Sequence, residues 1–307
     1  MKLLRGLVII AFLVGLVAFA AWLIHPQKFS DRVRRLISAG KYQEAESLIL
    51  EELQRRKYDP NLYILLGETY TAWGRYDQAL KQFLSVPPRG LDEETKTALL
   101  NGLLGLADSS RKIGRVITAK KAYEYALQVE PDVDLGEGFK FLGDYYFDRH
   151  TYPQAALYYE EYLKHGGRKE LVLDKLVRAL YEIDAYEDVI KLHNDIVQLG
   201  SSKSQRYLQF AYYQAAKKAF LQKKFQDAIE LLDKFFQLGS PKYVWEDATM
   251  LKARCLLAIG DTSSAIEQLQ RIAAFGTTVN REAAQALLDS LNIGGAQENN
   301  SFRFPSY

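Results

Sequence analysis

Apolar side chains recur at three- and four-residue steps along residues 61–83, and this stretch sets the pattern for most of the chain. The first apolar face contains Tyr63, Leu66, Gly67 and Tyr70. This spacing places the four side chains on one side of an amphipathic helix. Gly74 then interrupts the pattern, and a glycine without a Cβ suits a tight turn. The second face contains Tyr76, Ala79, Leu80 and Phe83. The stretch therefore predicts two short helices joined by a turn.

One such hairpin cannot bury its own apolar face, so it requires neighbours of the same kind. The sequence supplies them at similar relative spacing. A second clear copy contains Gly114, Ala119, Tyr123, Ala126 and Pro131. A third contains Leu142, Gly143, Tyr146, Tyr152, Ala155 and Tyr159. Weaker copies begin around Gly40, Tyr186, Phe225 and Gly260. The inferred repeats start near residues 26, 60, 100, 136, 170, 209 and 246. Some repeats are longer than the others, and we place their additional residues in loops at 85–90 and 199–204.

These copies resemble the tetratricopeptide repeat (TPR) family, whose pattern is Leu-Gly-x2-Tyr, then Ala-x3-Phe, then Pro, at a period of about 34 residues. Leu66-Gly67-x2-Tyr70 and Leu142-Gly143-x2-Tyr146 match the first part. Ala79-x3-Phe83 matches the second. The resemblance covers roughly residues 26–279 and implies an all-α, right-handed α-solenoid of about seven helix hairpins. The earliest copy departs from the pattern, because Ile49 occupies the Phe position.

The N-terminal segment predicts a membrane anchor. Gly6–Ile24 contains no charged side chain, and its length as a helix approaches the roughly 30 Å of the bilayer core. A cleaved signal peptide is the alternative, because Ala18-Phe19-Ala20 fits a small-x-small cleavage site. We expect a retained single-pass helix in contact with the lipid bilayer, with the repeats on the outer, periplasmic side. Counting lysine and arginine alone slightly favours the opposite orientation.

The sequence thus predicts four segments: an anchor or signal segment at 1–25, the repeat array at 26–279, a capping helix at 280–293 and a flexible tail at 294–307. Apolar residues of the last helix share one face, which suits a cap that closes the end of a repeat array. The tail is polar except for Phe302, Phe304 and Tyr307. We expect disorder there, and the alternative is a short docking motif formed by these three residues.

The composition and the absence of catalytic motifs favour a binding function over an enzymatic one. Forty Lys and Arg residues stand against thirty-eight Asp and Glu, which gives no support to nucleic-acid binding, since that requires a basic stripe. Cys255 is the single cysteine, so neither an internal disulfide nor a cysteine metal cluster is possible. The four histidines form no metal or catalytic motif, and phosphate loops and nucleophile elbows are absent. We predict no enzymatic activity, no catalytic residue, no cofactor and no metal.

The resemblance implies that the first helix of each hairpin lines a concave groove, with the residue after the Leu-Gly position pointing into it. In this sequence those residues are Glu68, Asp108, Asp144, Arg178, Lys217 and Arg254. Three carboxylates are thus followed by three cations. Asp148 adds to the acidic half, and Phe210, Tyr213 and Phe220 surround Lys217 in the basic half. We expect protein partners to bind in this groove through opposite charges and an aromatic anchor.

The functional prediction is a non-catalytic, membrane-anchored scaffold that assembles a motility, secretion or cell-envelope complex. The alternative is an adaptor that recruits substrates to an envelope enzyme. Co-chaperones of the TPR family that capture acidic C-terminal peptides use Asn with Lys and Arg in the groove; here acidic residues stand where that Asn would lie, which argues against such a clamp. Self-association through uncovered repeats is a further possibility.

Overall fold

The computed structural model describes residues 29–56, 58–239 and 242–294, and all regular structure in these ranges is helical. The all-α class predicted from the sequence is therefore confirmed. The chain forms two compact units, Met1–Leu142 and Gly143–Tyr307. The division falls inside one helix, Glu137–Phe147.

Unit 1 is a series of helix pairs. Its helices are α1 (29–38), α2 (Tyr42–Arg55), α3 (Pro60–Ala72), α4 (Tyr76–Leu84), α5 (Glu93–Lys112), α6 (Val116–Val129) and the first half of α7 (Glu137–Phe147). Helix α3 packs against α4 and α5 against α6, while α3 and α5 also contact one another. The first helices of successive pairs are therefore neighbours, as expected when each hairpin covers the apolar face of the next.

Unit 2 continues the pattern with one irregular pair. Its helices are the end of α7, α8 (Tyr152–Lys164), α9 (Leu173–Glu182), α10 (Tyr186–Lys191), α11 (His193–Leu199), α12 (Ser202–Leu221), α13 (Phe225–Gln237), α14 (Lys242–Ala258), α15 (Thr262–Phe275) and α16 (Thr278–Gly294). A 3-10 turn, Lys169–Leu171, precedes α9. In the irregular pair the second helix is broken at Leu192 into α10 and α11. At the C-terminal end, α16 packs on a cluster that includes Met250, Leu269 and Ile272.

A residue with a positive φ angle lies in the turn inside every pair. Four of these residues are the glycines of the sequence pattern: Gly40, Gly74, Gly114 and Gly260. Three are not glycine: His150, Asp184 and Lys223, with φ of 58°, 59° and 61°. A left-handed residue at this position lets the chain reverse after the first helix, and glycine adopts it without steric cost. The turn expected at Gly74 is confirmed, and its geometry is shared by pairs whose sequence gives no glycine signal.

The loop expected at 85–90 is confirmed, because residues 85–92 between α4 and α5 are not helical, whereas most of the loop expected at 199–204 is helix. Helices α5 and α12 each have 20 residues, so they begin before the repeat starts expected near 100 and 209. Helix α5 begins early because the Asp92 side chain accepts a 2.9 Å hydrogen bond from the Thr95 amide, which caps the helix N-terminus. Gly200 ends α11 in a left-handed conformation and α12 starts at Ser202. The loop expected at 199–204 is therefore only a two-residue turn, Gly200 and Ser201, between α11 and α12.

Glycines in the first helices make room for aromatic rings of the second helices. A Cβ at Gly67 would lie 2.7 Å from the Phe83 ring, and one at Gly102 would lie 2.5 Å from the same ring. The fully buried Phe83 of α4 thus fits between glycines of α3 and α5. In the same way, the ring of Tyr123 packs against Gly138 and the ring of Tyr159 packs against Gly143. The absence of a side chain at Gly67 therefore makes room for an aromatic ring.

The predicted location, a single-pass membrane protein with periplasmic repeats, is corrected. No helix of the described residues is both long enough and apolar enough to cross a bilayer. The described helices instead carry charged residues along their exposed faces, whereas a span requires about 20 predominantly apolar residues. Gly6–Ile24, on which the prediction rested, lies outside the described residues.

Candidate functional site

The acidic positions predicted for the groove in unit 1 are engaged by neighbouring side chains. Arg34 of α1 lies 3.6 Å from the Glu68 carboxylate of α3. Burial raises the pKa of Glu68, and Arg34 opposes that shift. In the next pair Tyr123 of α6 donates a hydrogen bond to Asp108 of α5. Arg111 lies 3.7 Å from the same carboxylate. These acids therefore help to hold helix pairs together.

The same arrangement recurs at the start of unit 2. Tyr159 of α8 donates a 2.9 Å hydrogen bond to Asp144 of α7. Lys175 of α9 approaches the same carboxylate oxygen at 2.5 Å. In both pairs the tyrosine follows its aspartate by 15 residues. Asp148, one turn beyond Asp144, is exposed. A tyrosine at the aromatic repeat position therefore links the core to the predicted groove, a function that a phenylalanine at the same position cannot perform.

Alkaline pH is expected to weaken the fold through these tyrosines. Burial, followed by the hydrogen bond to Glu46, raises the pKa of Tyr70 to about 12. Burial and the neighbouring aspartates also raise the pKa of Tyr123 and Tyr159. The pKa of a buried tyrosine such as Tyr70 is therefore higher in the folded protein than in the unfolded chain, where it is about 10. The contribution of this tyrosine to the free energy of unfolding is complete below about pH 10 and is lost as the pH rises towards 12.

Urea unfolding at stepped pH, with phenolate absorbance recorded in parallel, checks this expectation. The Tyr70→Phe variant should lose stability less steeply than the parent in the same window, because one titrating group has been removed. Equal slopes for the two proteins would contradict the assignment of Tyr70.

A cleft in unit 2 lies on its first helices. Its volume is about 770 Å³. Helices α9 and α12, which pack together, supply most of the wall, and the end of α7 supplies the rest. The lining residues are Phe147, Asp174, Lys175, Arg178, Tyr181, Lys203, Arg206, Tyr207 and Phe210. Four cations and four aromatic rings therefore line the cleft, with one carboxylate.

The cations on α9 already have partners inside unit 2. Lys175 pairs with Asp144. The Arg178 guanidinium lies 3.5 Å from Glu182 and donates a 3.2 Å hydrogen bond to the Tyr152 hydroxyl. Burial tends to lower the pKa of Arg178, but Tyr152, Tyr207 and Glu182 raise it overall, so its positive charge is secure. On α12, Lys203 and Arg206 are exposed.

The aromatic side chains form a connected wall. Tyr181 lies 5.2 Å from Tyr207 and 6.3 Å from Phe210, measured between ring centroids. The Arg206 guanidinium is 5.8 Å from the centre of the Phe210 ring, and Arg178 is 5.4 Å from that of Phe147. Such cation–ring contacts stabilise both groups while leaving the charge available. The wall thus offers apolar surface directly beside positive charge.

The cleft contains two of the residues predicted from the sequence, Arg178 and Phe210. Other predicted residues lie elsewhere in unit 2. Lys217 lies 5.6 Å from the Tyr213 ring centre, and Tyr213 packs against buried Phe235. Phe220 contacts Phe225 on the core cluster around Cys255. Arg254 is half-buried on α14. Phe302, Phe304 and Tyr307 lie outside the described residues.

Seven lining residues were missed by the sequence reasoning, which followed a single position in each repeat. They are Phe147, Asp174, Lys175, Tyr181, Lys203, Arg206 and Tyr207. A signal for some of them was present. Lys203, Arg206, Tyr207 and Phe210 follow three- and four-residue steps, so they share one face of α12.

The described residues include side chains that could bind a metal ion and one thiol that could act as a nucleophile. Among them, no group of three or more His, Cys, Asp or Glu side chains is placed to hold a metal ion. Cys255 is fully buried, and burial raises its pKa to about 11. A buried thiol with this pKa stays protonated and is a poor nucleophile.

The sequence matches no protein-family model, and no curated protein matches it. Solved structures do resemble the fold. A tetratricopeptide repeat protein from Parabacteroides merdae ATCC 43184 has 16% identity and a TM-score of 0.36, covering 86% of this chain and 97% of that one. The TPR2AB domain–pHSP90 complex of yeast Sti1 has 15% identity and a TM-score of 0.32, covering 88% and 98%. The pentatricopeptide repeat protein PPR10 in complex with an 18-nt psaJ RNA element has 15% identity and a TM-score of 0.35, covering 92% and 41%.

Because each of these TM-scores is below 0.5, the description of helix pairs rests on the packing within this chain, and no ligand is carried over from the neighbours.

Proposed function

We propose that this chain is a non-catalytic protein-interaction scaffold of TPR-like helix pairs, and that the cleft on α9 and α12 is a principal contact site. The observation that carries the proposal is the cleft itself, in which four aromatic rings and four cations converge on adjacent first helices. Arginine and tyrosine are enriched among the residues that dominate binding energy at protein interfaces.

The chemistry of the lining supports a polypeptide ligand. Tyr181, Tyr207 and Phe210 are half-buried in the free chain, so a partner can complete their burial at low cost in side-chain entropy. The helices behind them are fixed by fully buried residues such as Leu176, Val177 and Leu208. A rigid support of this kind reduces the ordering cost that binding must overcome.

Site-specific photo-crosslinking of the full-length protein in its native cells tests the proposal. A photoreactive amino acid in place of Tyr207 should give discrete adducts with the same partner protein in every replicate. The matched position is Leu157 on α8, which is 53% exposed and outside the cleft. The proposal fails if both positions give the same adducts, or if position 207 gives no protein adduct at all.

A further inference from the structure

We propose that the tail beyond α16, residues 295–307, folds back along α16 and covers exposed apolar side chains at the junction of α15 and α16. The occupant of this surface is thus a segment of the same chain. The contact is separate from the cleft on α9 and α12.

Two large apolar side chains at this junction are largely exposed. Phe275, the last residue of α15, is 80% exposed, and Val279, in the first turn of α16, is 77% exposed. Exposed apolar side chains that are grouped in this way mark a surface that another segment can cover. We refer to Phe275 and Val279 as the junction patch.

Hydrogen bonds hold the junction in place, so the exposure does not come from a frayed helix end. Glu246 of α14 accepts a 3.0 Å hydrogen bond from the Thr277 amide and a 2.7 Å bond from the Thr277 hydroxyl. It also accepts a 2.8 Å bond from the Asn280 side chain. Arg281 donates a 2.9 Å bond to the Gly276 carbonyl. A segment that binds here therefore meets a surface that is already ordered, which lowers the entropy cost of binding.

The length of the tail matches the length of α16. The helix covers Thr278–Gly294 and is about 24 Å long, at roughly 1.5 Å per residue. An extended chain covers about 3.3 Å per residue, so roughly eight residues return it to the start of the helix. Phe302 is the eighth residue after Gly294, and Phe304 follows two positions later. Both rings therefore reach the junction patch when the tail runs antiparallel to α16.

The outward side of α16 offers an uncharged route for the tail. The helix faces the core through Ala284, which is buried in the cluster that contains Leu269. The opposite side presents four exposed, uncharged residues at three- and four-residue steps: Val279, Ala283, Ala286 and Ser290. Residues at these steps share one face of a helix, so the tail can follow this face without burying a charge.

The charges beside this route favour the same occupant. The exposed acids Glu282 and Asp289 border the uncharged face of α16. Arg303, the one cation of residues 295–307, lies between the two phenylalanines of the tail. Ion pairs at exposed positions contribute little energy, but complementary charges favour one orientation of the bound segment.

A second copy of the chain fits the junction patch less well. A stable interface between two proteins buries roughly 800 Å² on each partner, and the junction patch consists of two side chains. A tethered segment needs much less contact, because a short linker holds it at an effective concentration on the order of millimolar. The size of the patch therefore suits a segment of its own chain.

Disulfide trapping in the full-length protein tests the proposal. Ser301→Cys and Ala283→Cys place one thiol in the tail and one on α16, and they leave the phenylalanines and the junction patch unchanged. The native Cys255 is fully buried, so it does not compete. In the control, Ser301→Cys is combined with Leu221→Cys, because Leu221 of α12 is 79% exposed. With oxidised glutathione, mass spectrometry of the monomer should show the first pair closing at least about threefold faster than the control pair.

Two further changes in the tail identify the groups that dock. Phe302→Ser/Phe304→Ser should slow the closure of the 283–301 pair at least about threefold, because it lowers the fraction of time that the tail spends on α16. Asn299→Ser/Asn300→Ser makes the same number of changes at polar positions of the tail and should leave the rate unchanged. Circular dichroism checks that every variant is folded.

Equal closure of the two cysteine pairs would overturn the proposal, as would closure that does not depend on the two phenylalanines. A covalent dimer as the main product would also overturn it and would assign the junction patch to a second copy of the chain.

Discussion

Replacement of Gly102 by alanine is expected to destabilise the protein by about 2–3 kcal/mol, in the upper range for overpacking of a core. The new Cβ would lie 2.5 Å from one carbon of the Phe83 ring and 2.8 Å from the next. The ring cannot move away easily, because it is fully buried and already lies so close to Gly67 that a Cβ there would be 2.7 Å from it. Helices α3, α4 and α5 must therefore separate.

Gly105 provides a matched control in the same helix. A Cβ there meets no atom within 4 Å, so Gly105→Ala should stabilise α5 by about 0.5–1 kcal/mol through helix propensity alone. Urea unfolding followed by circular dichroism measures both variants. Adding Phe83→Leu to Gly102→Ala should recover part of the loss, because the two changes share one contact. The packing argument is wrong if Gly102→Ala and Gly105→Ala have the same effect.

The second large effect is expected in unit 2, where Phe235→Ala should cost about 3–5 kcal/mol. Phe235 of α13 is fully buried. Its ring centroid lies 5.9 Å from that of Tyr213 on α12 and 5.2 Å from that of Phe236. Removing the ring leaves a cavity between α12 and α13. It also removes a packing contact of Tyr213, whose ring lies beside Lys217.

Phe275 is the appropriate comparison, because it is the same residue type at 80% exposure. Phe275→Ala should change the free energy of unfolding by no more than about 0.5 kcal/mol. Thermal and urea unfolding of both variants give the two values. A loss at Phe275 as large as that at Phe235 would show that burial of Phe235 does not determine its contribution.

The helix pairs could be predicted from the sequence because their main signal is local. Residues 61–83 carry two apolar faces at helical spacing and a glycine between them, and the structure has α3, a left-handed Gly74 and α4 in those places. The N-terminus of α5 was harder to predict, because the cap formed by Asp92 and Thr95 lies before the first apolar repeat residue. The cleft of unit 2 was the hardest feature to predict, because the groove was inferred from one position in each repeat and the cleft is lined by several positions of α9 and of α12.

The sequence by itself determined the all-α class, the positions of the hairpin turns at glycine and the absence of an internal disulfide. These properties follow from backbone preference and from periodicity within a few turns of helix. Only the tertiary structure decided that Phe83 needs glycines from two helices, that Tyr123 and Tyr159 hold the predicted groove acids, and that Arg178 and Phe210 meet in one cleft with residues of α7 and α12. Each of these depends on distances between helices that are far apart in the chain, and helix packing fixes those distances.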